Sequence, residues 1–405
     1  MYARAGLFAF MLAAAGLPLY IHLPRFAVTE LGLSLSMLGT ILIGIRVMDF
    51  AQDPLLGRLV DRFPRFRAGF AGLACAAMGL GFLALFSVSP LLRPDLWLVL
   101  TLVILFTGYS LGAILFYSQS TAIAPDAQAL IRLAGFREAG TLAGVVIAAL
   151  VPVVLLQMAG PDAQYSGFGV VLALVCSGIF WVTRPLWRPD PPEGEALTLP
   201  GLISSGGGQL LLLALVNSLP VAMTSTLFLF FVEDRLMLPG QAGGFLILFF
   251  IAAGVSVPLW TRLSDRFGVR AVLLPAMVLA VASFVWAAML GPGAAVPFAL
   301  VCIGSGAALG ADMVILPVVF SATLRRAGLP AGQAFGLWFL AGKLALAVAA
   351  VVLLPALEVS GFTPGSPNDR EALMSLSFAY AVVPCVLKLI AIALVFRLPR
   401  EVLAL

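Results

Sequence analysis

The chain has 405 residues, 62% hydrophobic and 10% charged, with a mean hydropathy of +1.10 and a formal charge of +4. Soluble domains carry about 25% charged residues and disordered chains are poor in apolar residues, so both classes are excluded and the chain is read as embedded in a lipid bilayer. Its basic residues stand singly among apolar runs and form no stripe, so the positive charge reports membrane orientation and no nucleic-acid partner is expected.

A helix needs about 20 apolar residues to cross roughly 30 Å of hydrocarbon. Twelve such runs are predicted, over 5–28, 34–57, 69–89, 96–122, 133–158, 167–184, 207–231, 241–261, 271–291, 295–322, 333–356 and 374–396. Runs this long and continuous exclude a β-barrel, whose strands alternate over about ten residues. The first run is followed by more spans and not by a small-residue cleavage site, so no removable signal peptide is expected. It holds the single histidine, His22, near its outer end beside Pro24 and Arg25, an interfacial position.

The second run carries Arg46-Val-Met-Asp49-Phe-Ala-Gln52-Asp53-Pro54, three ionisable groups and an amide in an apolar helix. A charge at the bilayer centre costs about 2.5–3.5 kcal/mol on insertion scales, so these groups must face a protein interior or a water-filled cavity. Asp49 and Asp53 are four apart and share one helical face, which Arg46 joins from three residues before Asp49. Two close carboxylates in a low dielectric repel, and either a proton or a sodium ion relieves the repulsion. Asp49 and Asp53 are therefore the candidate cation site.

The run ends in Arg58-Leu59-Val60-Asp61-Arg62-Phe63, which recurs 204 residues later as Arg262-Leu263-Ser264-Asp265-Arg266-Phe267. This offset divides the chain into two halves of six spans, parallel repeats about an axis along the membrane normal. The predicted domains are a six-helix bundle over 1–184, a polar, Pro-rich linker over 185–206 and a second bundle over 207–405. Asp61 and Asp265 can accept hydrogen bonds at a helix terminus or from a neighbouring Arg, while Arg58, Arg62, Arg262 and Arg266 offer planar donors. Such contacts suit a gate that forms in one conformation and breaks in the other. The same offset carries Asp49 and Asp53 onto Ala253 and Val257 but keeps the proline as Pro258. The scaffold does not require acids there, which favours a functional role for the pair.

Basic residues sort strongly between alternate loops. Arg4, Arg58, Arg62, Arg65, Arg67, Arg132, Arg184, Arg188, Arg262, Arg266, Arg270, Arg325, Arg326, Arg397 and Arg400 fall on one side, and Arg25, Arg93, Arg235 and Arg370 on the other. Both termini are expected in the cytoplasm, with the protein in the cytoplasmic (inner) membrane. Lys343 sits mid-span in the eleventh run, too deep to snorkel easily, and is one of two lysines in the chain. Asp312, in the tenth run, is placed to neutralise Lys343 or a ligand group. Cys75, Cys176, Cys302 and Cys385 lie inside apolar runs without CxxC spacing, which suggests neither a disulfide framework nor a zinc site.

The repeated loop hexapeptide resembles the loop motif of the major facilitator superfamily. The fuller pattern Arg46-x-x-Asp49-x-x-x-Asp53-Pro54-x-x-Gly57-x-x-x-Asp61 is more specific and resembles the second-helix signature of the glycoside-pentoside-hexuronide:cation symporters, the family of melibiose permease. That resemblance implies that Asp49 and Asp53 bind a coupling sodium or proton, helped by the amide of Gln52 and, by approximate alignment, the hydroxyl of Ser110 on the fourth helix. Gln52 stands where sodium-coupled members carry Asn, which leaves the ion open. The resemblance further implies substrate-binding roles for Arg137, beside Glu138 at the start of the fifth span, for Lys343, and for Tyr117 as an aromatic stacking on a sugar ring. Where the family has sugar-binding acids, on its first and fourth helices, this chain has Ala13 and Ala113.

The sequence thus reads as an all-α membrane protein of twelve transmembrane helices in two six-helix bundles. It is expected to be a monomeric, cation-coupled transporter of a small organic solute, a sugar or glycoside among the candidates. It has no cofactor beyond the coupling ion and no enzymatic constellation. The alternatives on the same fold are a proton-driven exporter of an amphipathic compound and a non-transporting assembly factor or receptor.

Overall fold

A computed structural model describes residues 1–187 and 197–403, and the described chain is helical, without strands. In hydrocarbon every backbone N–H and C=O needs an internal partner, and a helix supplies it within its own segment. Twelve long helices result: α1 (Tyr2–Thr29), α2 (Leu35–Arg62), α3 (Arg67–Phe82), α4 (Pro94–Ser118), α5 (Ala127–Ala159), α6 (Pro161–Thr183), α7 (Gly207–Phe230), α8 (Ala242–Phe267), α9 (Val269–Ala287), α10 (Ala295–Arg326), α11 (Ala331–Val359) and α12 (Arg370–Arg397). All but α1 and α2 supply a described stretch long and apolar enough to cross a bilayer, α3 together with its flanking turns as Pro64–Ser87; α2 carries the buried acids. Single π-helical turns follow α3 and α7, at Leu83–Ser87 and Phe231–Arg235, and a third lies within α12 at Phe378–Val382.

Several helices overrun their apolar windows because polar side chains cap them. The Asp126 carboxylate accepts from the Ala129 N–H at 2.7 Å and starts α5 six residues before the predicted 133. Asp369 does the same for α12 through the Ala372 N–H at 2.8 Å. The predicted linker, 185–206, includes residues 188–196, outside the described residues; beyond them Leu199–Ser204 is a short helix capped by the Thr198 hydroxyl. Arg188 and the side chains of His22, Arg25 and Arg400 also lie outside the described residues. Arg67, assigned to a basic loop from sequence, is buried at the start of α3, where its guanidinium meets the Gln119 amide.

Two compact units are present. The first comprises Met1–Leu197 and Leu324–Leu340. Within it α1 lies along α5, and the approach is so close that a Cβ at Gly140 or Gly144 would collide with the carbonyl oxygens of Gly6 and Phe10. Small residues let membrane helices pack backbone to backbone in this way. Phe26, Phe86 and Tyr165 form an aromatic cluster with ring centroids 5.0–5.9 Å apart. The second unit comprises Thr198–Thr323 and Ala341–Leu405. Its core includes Phe231 stacked on Tyr380 at 4.0 Å and Phe245 edge-on to Phe298 at 5.0 Å. Here α10 approaches α8 through Gly306 and Gly310.

Candidate functional site

The face of α2 that enters the protein interior is the charged one. Ile43, Val47 and Leu55 recur at four- and eight-residue spacing and are 59–67% exposed, whereas Asp49 and Asp53 are 0% exposed. The two acids are therefore turned away from lipid and share the inward face. Arg46 reaches Asp49 Oδ2 at 3.4 Å and lies over the Phe106 ring at 5.3 Å. The Gln52 amide donates to Asp49 Oδ1 at 2.7 Å, and its own oxygen accepts from the Thr107 hydroxyl of α4 at 2.9 Å. This chain of contacts fixes the Gln52 amide and orients Asp49. Ser110, buried, follows Thr107 by three residues and so shares its face of α4. Pro54, directly after Asp53, lacks an N–H and interrupts the helical ladder beside the acids.

A second buried cluster stands at α4 and α5. Arg137 Nε donates to Glu138 Oε1 at 2.8 Å, with both side chains buried, and the Arg137 guanidinium lies 4.3 Å from the centre of the Tyr117 ring. Tyr117 also packs against Phe335 and Phe339, at 5.5 and 5.1 Å between ring centroids. The structure thus brings together Tyr117 and Arg137, and explains the short distance by a cation–π contact.

The two copies of the loop motif differ. Asp61 accepts from the backbone N–H groups of Gly332 and Gln333, at 2.8 and 2.7 Å, and so caps the start of α11. Asp265 is exposed and makes no hydrogen bond among the described residues. Arg58, Arg62, Arg262 and Arg266 are all exposed; Arg62 and Arg266 lie over the rings of Phe63 and Phe267.

Residues 2–401 match the sequence profile of the family described as MFS/sugar transport protein. The chain belongs to this family. No curated protein matches it in sequence. Solved structures share its fold: a bacterial homologue of the iron transporter ferroportin, in an outward-facing state, has a TM-score of 0.71 at 16% identity, covering 96% of this chain and 99% of that one. The Escherichia coli fucose:proton symporter FucP has a TM-score of 0.63 at 15% identity, covering 96% and 98%. The human organic anion transporter MFSD10 has a TM-score of 0.65 at 17% identity, covering 97% and 98%. The chain is accordingly a multi-pass membrane protein with a transporter fold and not an enzyme, its setting the lipid bilayer and its substrate a small molecule.

In this MFS protein one pairing expected from sequence is corrected. Asp312 engages Lys388 and not Lys343: Lys388 Nζ lies 2.5 Å from Asp312 Oδ2 and 2.7 Å from Asn217 Oδ1, while Asn217 Nδ2 donates to Asp312 Oδ2 at 3.0 Å. All three side chains are buried. Lys388 is on α12 and Asn217 on α7, so the acid on α10 is closed by two helices of its own unit, whereas Lys343 is half-buried on α11. Lys388, Asn217 and Thr107 were assigned no role from sequence. The available signal for the first two was rarity, since the chain has two lysines and two asparagines, and both lysines and Asn217 lie within apolar runs.

Proposed function

We propose that this MFS protein is a cation-coupled secondary transporter that carries a small organic solute, a sugar or glycoside in the leading case, across the cytoplasmic membrane by alternating access. The observation that carries the proposal is the fully buried pair Asp49 and Asp53, one turn apart on the inward face of α2, with Gln52 tying Asp49 to α4 through Thr107. The coupling ion, sodium or a proton, binds at Asp49, Gln52, Asp53 and Ser110. Its charge offsets the repulsion between the carboxylates, and the occupied site favours solute binding. Tyr117, Arg137, Asp312 and Lys343 are the solute-binding candidates, and Arg58, Asp61, Arg62, Arg262, Asp265 and Arg266 the gate. The family description and the fucose:proton symporter among the structural neighbours support sugar transport and proton coupling. The basic-residue asymmetry supports two cytoplasmic termini, and the protein is taken to act as a monomer.

A specific observation favours a second reading, proton-driven export of an amphipathic compound. Ala13 and Ala113 stand where sugar-binding acids are expected, and the second unit holds a largely apolar cavity.

The ion site is tested by thermal unfolding of the purified protein in sodium chloride against choline chloride, and across a pH series. An ion that binds the native state raises its apparent stability. Either sodium or acidification is expected to raise the Tm of the wild-type protein, and the Asp49→Asn/Asp53→Asn double variant is expected to lose that response. A response to neither ion, or one that survives in the double variant, refutes the assignment.

A further inference from the structure

Within the second unit a partly open pocket lies between α7, α8, α9, α10 and α12, and the Asp312–Lys388 pair forms part of its lining. Its other walls are mostly apolar, Val221, Phe249, Phe284 and Leu309 among them. Thr224 and Ser305 also reach it, but their hydroxyls donate to carbonyls of their own helices, to Pro220 O at 3.0 Å and Val301 O at 2.7 Å. Ser225 lines it from an exposed position, and Asp312 and Lys388 are the charged residues of the lining.

The pair is incompletely satisfied. Asp312 Oδ2 takes both bonds, from Lys388 and Asn217, while Oδ1 is shielded from solvent and has no hydrogen-bond partner among the described residues. Lys388 carries three N–H donors and uses two of them, on Asp312 and Asn217. Two residues that line the cavity thus hold one acceptor and one donor without a partner, and burying such groups unpaired costs stability. A pair retained only for packing gains nothing from this arrangement, because well-packed apolar residues often replace a buried ion pair without loss.

We infer that this cavity binds a neutral, hydroxyl-bearing amphiphile, its hydroxyl accepting from Lys388 and donating to Asp312 Oδ1 while its apolar body lies along Val221, Phe249 and Phe284. The chemistry selects against ions. Lys388 and Asp312 cancel in charge, so an ammonium or carboxylate head finds no net attraction there to offset the cost of its own desolvation. A hydroxyl accepts and donates at once and meets both open groups without a net charge to desolvate. The site lies in the second unit and does not depend on the ion site of α2.

The test uses a diazirine analogue of 1-octanol, with the matched amine and carboxylic acid, on the purified full chain, labelled residues being mapped by mass spectrometry. Saturable labelling of cavity residues is expected, displaced by octanol at concentrations at least about tenfold lower than by octylamine or octanoate, the worth of one hydrogen bond to a charged group. The Asp312→Leu/Lys388→Met variant removes the pair while keeping its bulk and is expected to bind at least about tenfold more weakly. Val281→Phe fills the cavity, leaves the pair in place and should abolish saturable labelling. Unsaturable labelling, preference for the amine or the acid, or unchanged affinity in either variant at wild-type Tm overturns the inference.

Discussion

A carboxylate within a membrane helix is held ready for an ion only if its neighbours fix its orientation without cancelling its charge. At Asp49 the neutral Gln52 amide orients Oδ1 and is itself held by the Thr107 hydroxyl, while the part-exposed Arg46 faces Oδ2 from 3.4 Å and offsets the charge only in part. Thr107 therefore belongs to the proposed ion site although it need not touch the ion, and loss of such outer partners typically weakens ion affinity about 10- to 100-fold. Thr107→Val keeps the shape and deletes the hydroxyl. The variant is expected to fold, and the sodium or proton concentration at the midpoint of the stability response should rise about tenfold or more. An unchanged midpoint would reduce Thr107 to packing. Asp49, Gln52 and Asp53 were legible because polar groups in an apolar run need a reason. Thr107 was not, since a threonine that bonds its own helix, as Thr101 does to the Trp97 carbonyl at 3.0 Å, looks the same in sequence.

At the scale of the helices, stability rests on close backbone approach. The α1–α5 contact leaves no room for a side chain at Gly140, whereas Gly44 on α2 has open space around its Cβ position. Gly140→Val is expected to cost about 1–3 kcal/mol through overpacking and to lower the apparent Tm. Gly44→Val should leave the Tm unchanged or raise it slightly, valine being the better helix former. Equal behaviour of the two variants would count against the packing described for α1 and α5. The existence of all twelve helices could be read from apolar runs of bilayer length. Their ends could not, because hydropathy falls where a capped polar turn still continues the helix: α2 runs on through Arg58, Asp61 and Arg62 to five residues beyond the predicted 57. Which small residues touch was equally hidden, for with 40 glycines the composition marks many possible contacts and the packing uses a subset.

Over the whole molecule the two copies of the repeated segment differ, and the proposed ion site lies at the position where they differ most. The positions of Asp49 and Asp53 are occupied in α8 by Ala253 and Val257, where Ser256 and Trp260 instead bond the Ala307 carbonyl of α10, at 3.1 and 2.7 Å. One copy of the helix is used for charge and the other for packing. The loop motif diverges in the same sense, since two aspartates in hexapeptides that differ only at Val60 and Ser264 have different surroundings: Asp61 closes two orphan N–H groups at the start of α11 and Asp265 is exposed. No sequence pattern separates them, because the partner of Asp61 lies 271 residues away. Removing a carboxylate cap costs about 0.5–2 kcal/mol, and its charge adds a favourable interaction with the positive end of the helix dipole. Asp61→Ala should therefore lower the apparent Tm of the purified protein, while Asp265→Ala leaves it within error of wild type. The Asp61→Asn variant, which keeps an acceptor oxygen but loses the charge, should fall between wild type and Asp61→Ala. Equal losses for Asp61→Ala and Asp265→Ala would mean that the two loops are used alike, and that the cap on α11 contributes nothing specific to this fold.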